Sequence, residues 1–462
     1  MSAHDQDTEL LYTLDSRPGA MESLFAGLQH VLASFVGIIT PTLIIGGVLG
    51  LGSEVPYLIS MALVVSGVGT FIQARRPFGV GAGMICVQGT SFAFLSSVLA
   101  AGFIAKAKGG GPEEILALIY GVCFLGAFVE IVLSQFIHKL QRIITPLVTG
   151  IVITIIGISL IKVGMTDLAG GFNAPDFGSP INLALGLGVL VTIIILNRFG
   201  NAWIRLSSII IGLLAGYLIA IPLGKVSFDQ ISAPLFSIPI PFKYGFDFDW
   251  GAFLPIAMIY LITAIESTGD LTANSMISRE PVKGPLYLSR IRGGVLGDGI
   301  NSALAAVFNT FPNTTFSQNN GVIQLTGVAS RYIGYYVGGI LLLLGLFPII
   351  GAVLQQIPKP VLGGATLVMF GTVAAAGVKI LATERLDRRK MLIMAVSFGI
   401  GLGVTLVPEL LAQMPKLVQN IFGSAITSGG LAAILLTLLL PDSDSGTQTD
   451  RITAPEPAPG EA

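Results

Sequence analysis

Apolar residues in this chain fall in long unbroken blocks, not in an alternating or one-faced helical pattern. Fourteen blocks stand out, roughly at 24–49, 54–74, 80–102, 114–137, 144–166, 181–197, 205–224, 251–275, 292–308, 312–329, 333–356, 360–381, 391–407 and 418–440, most of them within the ~17–25 residues of a bilayer-crossing helix. One block breaks the pattern. Between Pro312 and Arg331 the sequence reads P-N-T-T-F-S-Q-N-N-G-V-I-Q-L-T-G-V-A-S-R, with Asn313, Thr314, Thr315, Ser317, Gln318, Asn319 and Asn320 almost contiguous. Polar groups in hydrocarbon cost several kcal/mol each unless something satisfies them. Pro312 disfavours a continuous helix, and the Thr- and Phe-rich run to Ser317 suits an extended segment. Gln318 then starts a helix expected to reach about Ser330. A half-helix starting inside the membrane directs backbone N–H groups and side-chain amides at a central cavity, the position of a transporter's substrate site.

Composition agrees with a membrane protein. Of 462 residues, 53% are hydrophobic and only 11% charged, with a mean hydropathy of +0.82. Soluble domains carry about 25% charge. The 58 glycines suit close helix packing in lipid. A net charge of −1 gives no reason to expect nucleic acid. Cys86 and Cys123 lie in apolar runs and read as small buried hydrophobes. The polar, acidic start up to Asp15 does not read as a cleavable signal peptide. Residues 1–20 form an N-terminal tail, and the Pro- and acid-rich stretch 442–462 reads as disordered. With fourteen spans and the N-terminus inside, eighteen Lys and Arg fall on the inner side and six on the outer, leaving Lys162 within a span. That bias places both termini in the cytoplasm.

The chain also echoes itself. Pro146, Gly150 and Gly157 of the fifth block recur in spacing as Pro360, Gly364 and Gly371 of the twelfth. The third block carries Q-G-T-S-F-A-F (Gln88 to Phe94), and its counterpart seven blocks later is the tenth, with N-T-T-F-S-Q. Seven is odd, so the halves would lie in opposite orientation, as in an inverted repeat. Two interrupted segments would then face each other across a cavity.

Ionisable residues inside apolar blocks mark pathways or proton relays. Glu266 and Asp270 in I-E-S-T-G-D are four apart and share a helix face. Asp298 lies in the ninth block. His30 is either a structural hydrogen-bonding group or a proton carrier, Lys162 snorkels to the outer interface, and Glu130 has no visible partner. Glu266 offers two acceptors and Gln318 a donor beside an acceptor, while Phe92 and Phe316 offer flat walls. A planar heterocycle fits this set; a sugar or amino acid would hydrogen-bond but use the rings less. Three histidines and no H-E-x-x-H run argue against a metalloenzyme. No nucleophile–base pair is evident, so an embedded enzyme is disfavoured, and a closed site argues against a channel. No cofactor or metal is expected.

Q-N-N-G-V-I-Q-L-T-G-V-A-S-R (Gln318 to Arg331) resembles the signature of the nucleobase–ascorbate transporters, also called nucleobase:cation symporters-2. The likeness runs from L-L-Y-T-L-D-S-R-P-G through H-V-L-A-S-F and I-T-P-L-V-T-G-I-V, and the stretch around 308–331 looks like the bacterial xanthine permeases. The resemblance implies an all-α polytopic fold of fourteen spans in two inverted repeats of seven, with short extended segments in spans three and ten. It implies a core domain from residues 21–140 and 250–357, and a gate domain from 141–225 and 358–441 that forms a homodimer. It implies proton-coupled uptake of a purine, xanthine first, through a multi-pass protein of the inner membrane. Uric acid, uracil, hypoxanthine or guanine are alternative cargoes, and an anion carrier of the same architecture is a further alternative. Carried over by motif, Glu266 and Gln318 would bind the purine, Phe92 would stack on it, and Phe316 and Ser317 would contribute backbone hydrogen bonds. Asp298 and Asp270 would serve coupling or hold the site, Asn319 would tune specificity and His30 would support the site.

Overall fold

Because nearly every block is apolar all round, helices must satisfy their own backbone and bury side chains against one another. The computed structural model describes residues 10–140, 145–226 and 233–440. The tail expected at 442–462 and the first nine residues of the N-terminal tail lie outside the described residues. In chain order, the first half comprises α1 (Ala20–Leu49), α2 (Val55–Arg75), β1 (Gln88–Thr90), α3 (Leu95–Ala107), α4 (Pro112–Gln135), α5 (Ile137–Leu140), α6 (Pro146–Leu168), α7 (Pro180–Phe199), α8 (Ala202–Leu206) and α9 (Ser208–Ala220). The second half comprises α10 (Trp250–Ile277), α11 (Pro285–Val307), β2 (Asn313–Thr315), α12 (Gln318–Thr326), α13 (Ile333–Gly345), α14 (Pro348–Gln355), α15 (Lys359–Leu381), α16 (Arg388–Leu406), α17 (Lys416–Phe422) and α18 (Ala425–Leu439). Among the described residues, 8 helices are long and apolar enough to cross a membrane, or up to 10 if the bent pairs α13–α14 (75°) and α17–α18 (78°) each count as one span. This is a multi-pass, mostly helical membrane protein.

Local chemistry sets the helix ends. Thr145 accepts from Val148 N ahead of Pro146 at the first turn of α6, an N-cap followed by a proline where its missing N–H is harmless. Asp249 accepts from Ala252 N at 3.1 Å and from Lys108 Nζ at 2.7 Å, capping α10 and tying it to the end of α3. The Lys108 bond holds the Asp249 carboxyl below its usual range. Pro348 begins α14, where the chain turns sharply from α13.

The third and tenth blocks are interrupted, as expected, and they pair. β1 and β2 run antiparallel with Gln88 opposite Thr315, Gly89 opposite Thr314 and Thr90 opposite Asn313. Phe316 N to Val87 O (3.0 Å) and Ser91 N to Pro312 O (2.8 Å) extend the pairing. Each segment thereby supplies the backbone partners that the other lacks in an apolar interior. Gly89 permits the crossing: a Cβ there would lie 2.5 Å from Phe316 Cζ, and one on Gly37 of α1 would lie 2.7 Å from Phe316 Cε2. The Phe316 ring thus sits in a slot between two glycines.

The half-helix after β2 is shorter than its sequence suggested. It ends at Thr326, where Gly327 takes a left-handed conformation (φ 69°), and does not reach Ser330. The residues beyond bind a strap from the N-terminal segment: Tyr12 N donates to Gly327 O, Ala329 N to Tyr12 O, and Arg331 N to Leu14 O at 3.0 Å. Arg331 also pairs with Asp15 at 2.9 Å. A strand-like contact outcompetes the last helical turn once a partner segment is present.

Three close helix pairings organise the rest. α6 packs along α15, α2 against α13, and α4 against α11. Small residues allow the approach: a Cβ on Gly157 would lie 2.3 Å from Ala374 N, and one on Gly67 would lie 2.6 Å from Gly338 O. The Pro–Gly–Gly echo serves different contacts in its two copies. Gly150 and Gly157 both face α15, whereas Gly364 closes on Gly186 of α7 and a Cβ on Gly371 would meet nothing within 4 Å. Cys86 and Cys123 are free and buried.

Candidate functional site

The broken segments leave a pocket where β2 and the start of α12 meet α10, the turn before α3, and the facing pair α6 and α15. Phe92, Ala93, Ile153, Ile156, Glu266, Asp270, Thr314, Thr315, Phe316, Ser317, Gln318 and Val373 line it. Of the residues singled out in the sequence, Glu266, Asp270, Phe92, Phe316, Ser317 and Gln318 therefore share one cavity. The other three, Asp298, Asn319 and His30, stand behind its wall.

Each polar group is held in a distinct way. Asp270 Oδ2 accepts from Thr315 Oγ1 at 2.8 Å, and its backbone carbonyl accepts from Asn320 Nδ2 at 3.3 Å. These bonds fix α10 to β2 and α12. Glu266 Oε2 is buried and receives no hydrogen bond from the described residues. An acceptor left without a donor in such a site is costly, and its demand is met if a ligand supplies an N–H. Phe92 packs in a T-shaped arrangement with Phe370 of α15, with ring centroids 5.1 Å apart, and also lines the pocket.

Behind the wall, Asp298 Oδ2 accepts from Ser267, the residue after Glu266, and from Thr314 at 3.4 Å. Asp298 does not line the pocket, but two of its bonds reach residues that do or that adjoin them. Asn319 Nδ2 lies 2.9 Å from His30 Nδ1 and 3.2 Å from the His30 carbonyl. An amide N–H donor there requires Nδ1 to accept, so the ring proton belongs on Nε2. His30 thereby anchors α1 to the half-helix α12. Ser267 and the apolar wall from α6 and α15 were not singled out by the sequence, and Thr314 and Thr315 were given no individual role. The threonines belonged to the polar cluster already noted, but the α6 and α15 wall gave no signal, since Ile153, Ile156 and Val373 look like any lipid-facing aliphatic.

A multi-pass helical protein with a small pocket beside two paired extended segments, lined by two acids, an amide, two aromatic rings and an aliphatic wall, is built as a solute transporter. The chain belongs to the permease family described by the model Xan_ur_permease, which matches residues 21–410. It is 46% identical over 445 residues to the xanthine permease XanP of Escherichia coli K12, covering 95% of this chain and 96% of that protein. It is 44% identical over 439 residues to the xanthine permease XanQ of the same strain, covering 94% of each. Its fold is similar to the transmembrane domain of a cyanobacterial bicarbonate transporter, BicA, with a TM-score of 0.56 at 16% identity over 92% of this chain and 99% of that one.

Proposed function

We propose that this chain imports a purine nucleobase, xanthine first, across the bacterial inner membrane in symport with protons. The observation that carries the reading is the pocket in which a donorless Glu266 oxygen and Gln318 share a cavity with Phe92, in a chain 46% identical to a protein named a xanthine permease. Glu266 accepts ring N–H groups, Gln318 matches an adjacent donor–acceptor edge, and Phe92 stacks on the ring face. Proton binding neutralises part of the acid cluster, and the loaded site then moves between the two sides.

The moving parts in this reading are a core domain (residues 21–140 and 250–357) carrying the half-helices and a gate domain (141–225 and 358–441) carrying the facing apolar wall. The fourteen spans form two inverted repeats of seven. The antiparallel pairing of β1 with β2, one from each half, supports that symmetry. Both termini face the cytoplasm, and the gate domains join two copies into a homodimer.

The likeness to a bicarbonate transporter concerns fold alone. Glu266 and Asp270 on the pocket wall oppose an anion, because a fixed negative charge repels it. Uptake of radiolabelled xanthine by a bacterial strain lacking its own purine permeases, with and without a protonophore, tests the proposal. Saturable accumulation that collapses with the protonophore is expected, and competition by unlabelled uric acid, uracil, hypoxanthine and guanine ranks the cargoes. Accumulation of none of these bases by a well-expressed chain would refute the reading.

A further inference from the structure

Glu130 is unused by the site described above. It lies in α4, fully buried, and neither of its carboxylate oxygens receives a hydrogen bond from the described residues. An isolated ionised carboxylate in such a position is strongly disfavoured. Across the α4–α11 interface stands Asp298, also fully buried, with Oδ1 equally without a donor. The helices touch at this level: a Cβ on Gly299 would lie 3.0 Å from Ile131 N and 3.3 Å from the Ala127 carbonyl. Glu130 and Asp298 are the chain neighbours of Ile131 and Gly299, so this contact brings their two donorless carboxyls to the same level of the interface, close enough to interact. Two carboxylates are acceptors only, so contact between them demands a proton on one.

The other titratable groups facing the pair do not supply that proton as donors. The Tyr260 hydroxyl donates to Cys123 O at 3.1 Å. Glu266 lies close enough to Glu130 and Asp298, Asp270 to Asp298, and Cys86 to both aspartates, for their charges to interact. The surroundings of the pair are therefore acidic or neutral.

We propose that Glu130 and Asp298 form one carboxyl pair that holds a single shared proton, with Glu130 the positioning residue that sets how Asp298 carries it. Asp298 passes the state of the pair to the pocket through Ser267 and Thr314. The pair itself stands on its geometry; its part in transport rests on the proton-coupled reading above. A pair of this kind titrates as a unit, so replacing either member alters the one proton that the two hold between them.

Infrared difference spectroscopy of the purified protein in lipid, scanned in pH, reads protonated carboxyls directly and needs no transport. One protonated-carboxyl component should be lost in Glu130→Gln, the same component in Asp298→Asn, and no further one in the double variant. Two different components lost in the single variants, or none lost in Glu130→Gln, overturns the shared proton. Failure of xanthine uptake leaves this test intact, which separates the two proposals. In cells, Glu130→Gln should move the pH profile of protonophore-sensitive accumulation by about one unit, and Glu130→Asp should restore much of the wild-type profile. An unmoved profile in Glu130→Gln, with normal membrane abundance and gel-filtration behaviour, overturns the transport role of the pair.

Discussion

Glu266 and Asp270 share a helix face and a pocket, yet their oxygens are treated differently. Asp270 is bonded to Thr315, whereas one oxygen of Glu266 has no donor. In the proposed reading Asp270 is therefore a brace and Glu266 the substrate contact. Glu266→Gln turns one of two acceptor oxygens into an N–H donor and removes the charge where the purine presents N–H, and hydrogen bonds to a charged group contribute roughly 1.5–3 kcal/mol. Xanthine uptake by this variant should show a roughly ten- to hundredfold loss in kcat/KM, read by initial rates at several concentrations. Thr315→Val removes the brace and should weaken transport less than Glu266→Gln; an equal or greater loss would make Asp270 the primary contact. Spacing of four made the shared face of Glu266 and Asp270 legible in the sequence. The partner of Glu130 was not legible, because contact between α4 and α11 joins residues far apart in the chain and no local pattern encodes it.

At the scale of elements, the two interrupted segments were readable because polar residues and Pro312 broke otherwise apolar blocks. Their mutual pairing in register was not, since it depends on the Phe316 ring entering the slot between Gly37 and Gly89. Gly89→Ala should destabilise the protein by about 1–3 kcal/mol, the usual cost of overpacking, seen as a lower midpoint in a thermal-shift assay in detergent. Adding Phe316→Leu to that variant should recover part of the loss. The early end of α12 has a related cause: the strap from Tyr12 to Leu14 competes for the same backbone groups, and a half-helix alone gives no sign of it. Helix α10 makes a separate prediction. Asp249→Ala removes an N-cap worth about 1 kcal/mol, while the exposed bond to Lys108 adds little. Because Asp249 is held below its usual range by Lys108, its contribution is complete above the ordinary carboxylate range and fades as pH falls through the lowered folded value. Thermal midpoints of wild type and Asp249→Ala should therefore converge in strong acid.

For the whole molecule, block lengths and composition disclosed a multi-pass membrane protein, and the signature at Gln318 to Arg331 disclosed its family. The apolar wall of the pocket was hidden, because an aliphatic facing the cavity and one facing lipid are the same letter in the sequence. Large apolar side chains stay exposed on α7 and α16, including Leu187, Val191 and Ile400. Lipid covers some of this area, and in the proposed dimer a second copy covers part. Native mass spectrometry from mild detergent should accordingly give a species of twice the 48.2 kDa chain mass; a single-chain species at all concentrations would remove the dimer from the proposal.

The pairing of β1 with β2 also governs how the protein is made. Gln88 to Thr90 enters the membrane early in synthesis, but the strand that completes its backbone hydrogen bonds belongs to the second half of the chain. At the usual ~5–20 residues per second, that partner emerges roughly 10–45 s later. During this interval the nascent third segment carries donors and acceptors that lipid cannot satisfy, so it must wait in the translocon, beside a chaperone or near the aqueous surface. The seam between the two halves is thus closed by a late-arriving segment, and a chain released before Asn313 is synthesised lacks the strand that pairs with Gln88 to Thr90.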